Sequence, residues 1–187
     1  MKLIHKNRSV PDSGFIGLIN NIWDKNHREE NQTREKGMVP VEIIKQCKIF
    51  KMFPDELIEE IASIGVPLTY KANEMIFNID EPAKNLAILM SGRVEILTTK
   101  RTQFVPVHTV TPVEAFALSA MITGRLVSAA KATEDSEICA LPIGKMHKII
   151  EKDYKLGFFF MKQIAVLVSN RLVKMHYQLD VTGSGYI

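Results

Sequence analysis

The chain has 187 residues, 46% hydrophobic and 24% charged, with a net charge of +3. This balance excludes a disordered polyelectrolyte and suits one cored domain with appendages, while basic residues spread along the chain argue against nucleic-acid binding. No apolar run approaches the ~20 residues of a bilayer span, and Met1 to Pro11 is polar where a signal peptide is apolar, so a cytoplasmic protein without membrane insertion is expected.

Residues 1–37 form an N-terminal extension. Within it Phe15, Ile16, Leu18, Ile19, Ile22 and Trp23 follow helical spacing behind Ser13 as N-cap. The polar side of this helix carries Asn20, Asn21 and Asp24 rather than lysines, which argues against a membrane surface. Folding back onto the domain and docking on a protein partner are the two readings of Phe15, Ile16, Ile19, Ile22 and Trp23. Asn26 to Lys36 reads as helix tail or linker, and Gly37 and Pro40 mark the boundary.

Residues 38–143 open on a helix. Pro54, Asp55 and Glu56 suit a first turn, Leu57, Ile58 and Ile61 supply the apolar stripe, and Gly65 and Pro67 stop it. Short apolar or alternating runs follow, at Val66 to Lys71, Glu74 to Phe77, Leu86 to Met90, Arg93 to Thr98, Phe104 to Val110, Val127 to Thr133 and Glu137 to Leu141. Ser91-Gly92 is a tight hairpin signal between two of them. Many short, closely spaced strands predict a mainly β sandwich or roll rather than a βαβ sheet.

Residues 144–180 are helical again, with a short segment around Lys145 to Ile150 and a long helix from about Asp153. In the long helix Met161, Ala165, Val168, Leu172, Met175 and Leu179 alternate steps of four and three, the pattern of a pairing seam. With Phe158, Phe159, Phe160, Ile164 and Leu167 beside it, the helix is too apolar for one face to satisfy, and a homodimer through it is expected. Residues 181–187 read as a flexible tail.

Catalytic patterns are missing: no G-x-S-x-G elbow, P-loop or kinase signature occurs, and acidic pairs such as Glu59-Glu60 read as solvated faces. The cysteines, Cys47 and Cys139, form no C-x-x-C pair, and the five histidines are scattered, so buried thiols are expected, and neither a metal nor a cofactor. A non-enzymatic protein follows.

Three motifs carry a resemblance. Ile49-Phe50-Lys51-Met52-Phe53-Pro54-Asp55-Glu56-Leu57, Ile76-Phe77-Asn78-Ile79-Asp80-Glu81-Pro82-Ala83-Lys84-Asn85-Leu86 and Ile88-Leu89-Met90-Ser91-Gly92-Arg93-Val94-Glu95-Ile96 occur in order and spacing. They resemble the opening helix, the G-D turn and the hairpin of cyclic-nucleotide-binding domains, as in catabolite-activator/FNR regulators, protein kinase A regulatory subunits and gated channels. The resemblance covers about Val41 to Asp180. It implies a double-stranded β-helix (jelly roll) with flanking helices and a long C-terminal helix that pairs with a second copy.

The family's phosphate-binding cassette, roughly P-G-x-x-F-G-E-l-a-l-l followed by R-x-A, matches only in part. Pro112 and Phe116 persist, but Val113 and Ala117 stand at its two glycines, Leu118 at the ribose-binding glutamate, and Leu126 or Val127 at the phosphate-binding arginine. Ile79 replaces the glycine of the G-D turn. Each charge-assisted hydrogen bond contributes ~1.5–3 kcal/mol, and a desolvated phosphate without a counter-charge costs more, so tight cAMP or cGMP binding in the usual mode is not expected. Arg125 and Glu114 could serve a shifted site, with Ser119 and Ser128 as further ligand contacts, and Leu118 could fill the pocket. The chain ends at Ile187 without the helix-turn-helix of the family's regulators, so it is not expected to read DNA in their manner.

The reading is therefore a non-catalytic regulatory, signalling or scaffold module acting through protein contacts, with a partner the sequence does not name. The alternative is a small-molecule or nucleotide sensor with a non-standard pocket that signals through the long helix.

Overall fold

A computed structural model describes residues 38–100 and 103–183, with side chains as far as Met175. The chain divides at Glu35/Lys36 into two compact units, and the described residues all belong to the second. The candidate helix at Phe15 to Trp23 and the seam residue Leu179 lie outside what is described at side-chain level.

The described chain begins with α1 (Val41–Gln46), a 3-10 turn (Lys48–Phe50) and α2 (Asp55–Ile64). Pro54 stands at the N-cap of α2, where its missing N–H costs nothing and its carbonyl accepts from Leu57 and Ile58. Asp55 and Glu56 complement the helix dipole in the first turn, and Ile58, Ile61 and Ala62 are buried.

Eight strands follow, and all their pairings are antiparallel. They are β1 (Val66–Tyr70), β2 (Met75–Phe77), β3 (Asn85–Ser91), β4 (Val94–Lys100), β5 (Gln103–Val110), β6 (Ala115–Phe116), β7 (Ala129–Ala132) and β8 (Ser136–Pro142). One sheet runs β1-β8-β3-β6 and the other β2-β7-β4-β5. The jelly roll expected from the sequence is thus present, with β7 shorter than the apolar run suggests. The sequence reading did not include β6, whose two residues are too short for any periodicity to register.

The β3–β4 hairpin turns on Gly92 at φ +85°. A β-carbon there would collide with the Asp135 carbonyl oxygen and Ser136 Oγ, and would stand 2.8 Å from Ser136 Cα. Ser136, the buried polar residue of this core, accepts from Arg93 N–H and donates toward the Glu134 carbonyl, which locks the hairpin to the start of β8.

Two apolar clusters result. One lies between the sheets and holds Phe77, Leu89, Val94, Ile96, Phe116, Ala117, Leu126 and Ile138. The other joins the outer side of the first sheet to the helices and holds Phe50, Phe53, Ile61, Ile88, Leu118, Cys139, Leu141, Met146, Phe160 and Ile164. Both cysteines are buried and free, and burial pushes their thiols up to about 11 for Cys47 and about 12 for Cys139.

After α3 (Ile143–Ile150) comes the long helix α4 (Tyr154–Gly183). Asp153 caps it, its carboxylate accepting from Lys155 and Leu156 N–H at 2.8 and 3.3 Å. Phe160 of α4 stacks on Phe50 with ring centroids 5.5 Å apart and meets Phe53 edge-on at 6.0 Å. By length and composition Tyr154–Met175 is apolar enough to cross a membrane, at a mean hydropathy of 1.3. The sequence expectation found no such run, because Lys162 and Arg171 interrupt it.

Candidate functional site

The stretch from Thr111 to Ala129 corresponds to the phosphate-binding cassette. Its backbone keeps the turns that glycine would provide: Val113 lies at φ +69° and Ala117 at φ +56°. Left-handed geometry costs a non-glycine residue ~1–2 kcal/mol, and for β-branched Val113 it is a true outlier. What holds it is a closed set of bonds. Val113 N–H donates to Leu89 O at 2.8 Å, Leu89 N–H donates to Glu114 O at 3.1 Å, and β6 pairs with β3 through Ala115 and Phe116. At the G-D turn, where Ile79 replaces the glycine, the positive φ falls on the next residue: Asp80 lies at +65°, a conformation that aspartate tolerates.

From Ala117 the chain enters a 3-10 turn, Leu118–Met121, then loops back to the β2–β3 connection. Asp80 N–H donates to Leu126 O at 2.8 Å, Leu126 N–H to Glu81 O at 3.0 Å and Ala83 N–H to Gly124 O at 3.0 Å. The Arg125 guanidinium donates to the Asp80 carbonyl, and the side chain is exposed. Ser119 Oγ accepts from Val127 N–H at 3.3 Å, and Ser128 is half-buried before β7.

These positions settle which leucine fills the roll. Leu118 is buried, but in the cluster that faces the helices. Leu126 is the residue packed between the sheets, with Phe77, Phe116 and Ala117, while Val127 is 65% exposed. Leu118, which the sequence offered as one side chain that could fill the pocket, thus faces the helices instead. Leu126 is also the inward-facing one of the two residues at the arginine position.

Glu114 has a different setting from the shifted ligand site considered for it. His108 Nε2–H of β5 donates to its Oε1 at 2.6 Å, Arg171 of α4 reaches the same oxygen at 3.3 Å, and Thr111 N–H reaches Oε2 at 3.3 Å. The Arg171 guanidinium also donates to Ala115 O at 2.6 Å. Burial works to raise the Glu114 carboxyl, but the His108 hydrogen bond and charge, with Thr111 and Arg171, outweigh it and bring it down to about 2. Desolvation holds the Arg171 guanidinium below its ordinary value. The sequence reading missed His108 and Arg171. The available signal was Arg171 itself, a charge at the helical step that continues Phe160, Ile164 and Leu167.

Of the residues expected to form a pairing seam, Met161, Val168 and Leu172 are 38, 40 and 48% exposed, Ala165 is exposed and Met175 is half-buried. Among the described residues no group of three or more His, Cys, Asp and Glu is placed to hold a metal.

Comparison with known proteins agrees with this geometry. The family model for the cyclic nucleotide-binding domain matches residues 67–153. Among solved structures, a protein described as a cyclic nucleotide-binding protein from Geobacter metallireducens is 26% identical, with a TM-score of 0.63, over 72% of this chain and 99% of that one. The catabolite activator protein of Thermus thermophilus is 22% identical, with a TM-score of 0.59, over 72% of this chain and 62% of that one. The regulatory domain of Toxoplasma gondii PKA, solved with cAMP, is 14% identical, with a TM-score of 0.56, over 58% of this chain and 42% of that one. No curated protein matches the chain. Turns, roll and family model agree over residues 67–153, where the chain matches the cyclic nucleotide-binding domain.

Proposed function

We propose that the chain is a non-catalytic regulatory or scaffold module that keeps the cyclic-nucleotide-binding shape, does not hold cAMP or cGMP in the usual mode, and works through protein contacts. The fold is one that regulatory and sensor domains share. One observation carries the finer reading: the cassette preserves its backbone turns at Val113 and Ala117, while buried Leu126 and Leu118 stand where the polar anchors belong. A ribose phosphate entering the roll would meet apolar side chains and leave its charge without a partner. The exposed apolar face of α4, from Phe158 through Leu172, supports pairing with a second copy as the first of those contacts.

Isothermal titration of the full chain with cAMP and with cGMP tests the pocket. No heat up to millimolar nucleotide is expected. Micromolar binding that Arg125→Ala abolishes would overturn the proposal and favour the sensor reading with a shifted site.

A further inference from the structure

Resting on the reading of this chain as a regulatory module, we propose that Glu114, gripped by His108 and Arg171, is a positioning residue that joins the long helix to the cassette from within the chain. The placement is specific. Glu114 directly precedes β6, and two residues beyond β6's first residue lies Ala117, the strained turn that sets the course of Leu118–Met121. Arg171 comes from the other end of the contact, three turns along α4 from the Phe160 anchor to Phe50. Its guanidinium binds both the Glu114 carboxylate and the Ala115 carbonyl, so α4 cannot slide or rotate there without disturbing the backbone that leads into the cassette.

Among the described residues, the groups facing the carboxylate are few. They are His108 from β5, Arg171 from α4, the Thr111 N–H and, more remotely, the Cys47 thiol between α1 and the 3-10 turn. The side chains of His108, Glu114 and Arg171 are only 11, 26 and 19% exposed, which protects the contact from the screening that weakens surface ion pairs. A surface salt bridge on a helix would stabilise that helix alone. This one spans 57 residues of sequence and adds a polar joint beside the apolar cluster in which Ala115, Leu118 and Met121 of the cassette meet Phe160 and Ile164 of α4. The helix and the cassette therefore move together, with no small molecule as the link.

Hydrogen–deuterium exchange of the full chain tests the joint. Glu114→Gln keeps the shape and an acceptor for Thr111 N–H, and Arg171→Gln removes the other partner. Each is expected to speed exchange about tenfold in peptides covering Thr111–Val127 as well as in α4, and the double variant to add little more. Lys174→Gln, an exposed change on the same helix, is expected to leave the cassette unchanged. Effects confined to α4, or fully additive effects, would overturn the joint. If Arg171→Gln does not fold, Glu114→Gln alone decides by the same cassette peptides. Because no nucleotide is used, this result is independent of whether the pocket binds one.

Discussion

Glu114 is a residue whose chemistry its surroundings alter strongly. Its carboxyl falls from an ordinary 4.5 to about 2, so the folded protein binds that proton less tightly than the unfolded chain does. The resulting stabilisation is fully present above the unfolded value, near pH 4.5, and is lost as pH falls through the folded value near 2. Converted directly, the shift is worth ~3 kcal/mol at most, and the partial exposure of the side chain reduces it. Urea unfolding of the wild type and of Glu114→Gln at about pH 6 and about pH 3 reads this out. The wild-type advantage is expected to shrink at the lower pH; a constant difference would remove the electrostatic origin. The left-handed residues belong to the same scale. Gly92 is irreplaceable because backbone and Ser136 crowd its α-carbon, whereas Val113 and Ala117 show that neighbouring hydrogen bonds can hold a turn after its glycine is gone.

At the scale of the element, α4 carries two neighbouring stripes with the same spacing. Phe160, Ile164, Leu167 and Arg171 face the domain, whereas Met161, Ala165, Val168 and Leu172, one position on and so ~100° round the helix, border them on the more exposed side. The sequence shows both stripes but cannot rank them, because step patterns are identical and only packing tells inside from outside. The strands were more legible, since alternation and the Gly92 turn are local signals. The Glu114 contact was not, because its members come together only through tertiary structure. The ranking gives a paired prediction. Phe160→Ala removes a fully buried ring from the Phe50–Phe53 cluster and is expected to cost ~3–5 kcal/mol. Leu172→Asp is expected to leave stability within about 1 kcal/mol of the wild type and to halve the mass measured by light scattering. An unchanged mass would remove the dimer, and a folding defect would show the outer stripe to be core.

For the whole molecule, the question is whether the proposed loss of ligand binding is one of chemistry alone or also of room. The backbone argues for chemistry: β6, the turn at Ala117 and the return of Leu126 onto Asp80 and Glu81 are intact. The apolar packing of Leu126 with Phe77 and Phe116 between the sheets argues for room, because a side chain has taken space that a ligand needs. Leu126→Arg, at the residue packed between the sheets, separates the two. The change buries a charge, so without nucleotide the variant is expected to melt well below the wild type, by the several kcal/mol that an unpaired buried ion costs. If shape survives, cAMP supplies the partner that the arginine lacks, and millimolar nucleotide raises the melting temperature of the variant but not of the wild type. A variant that folds and stays indifferent to cAMP would mean that Phe77, Phe116 and their neighbours have closed the interior, and that the loss of grip is steric as well as chemical.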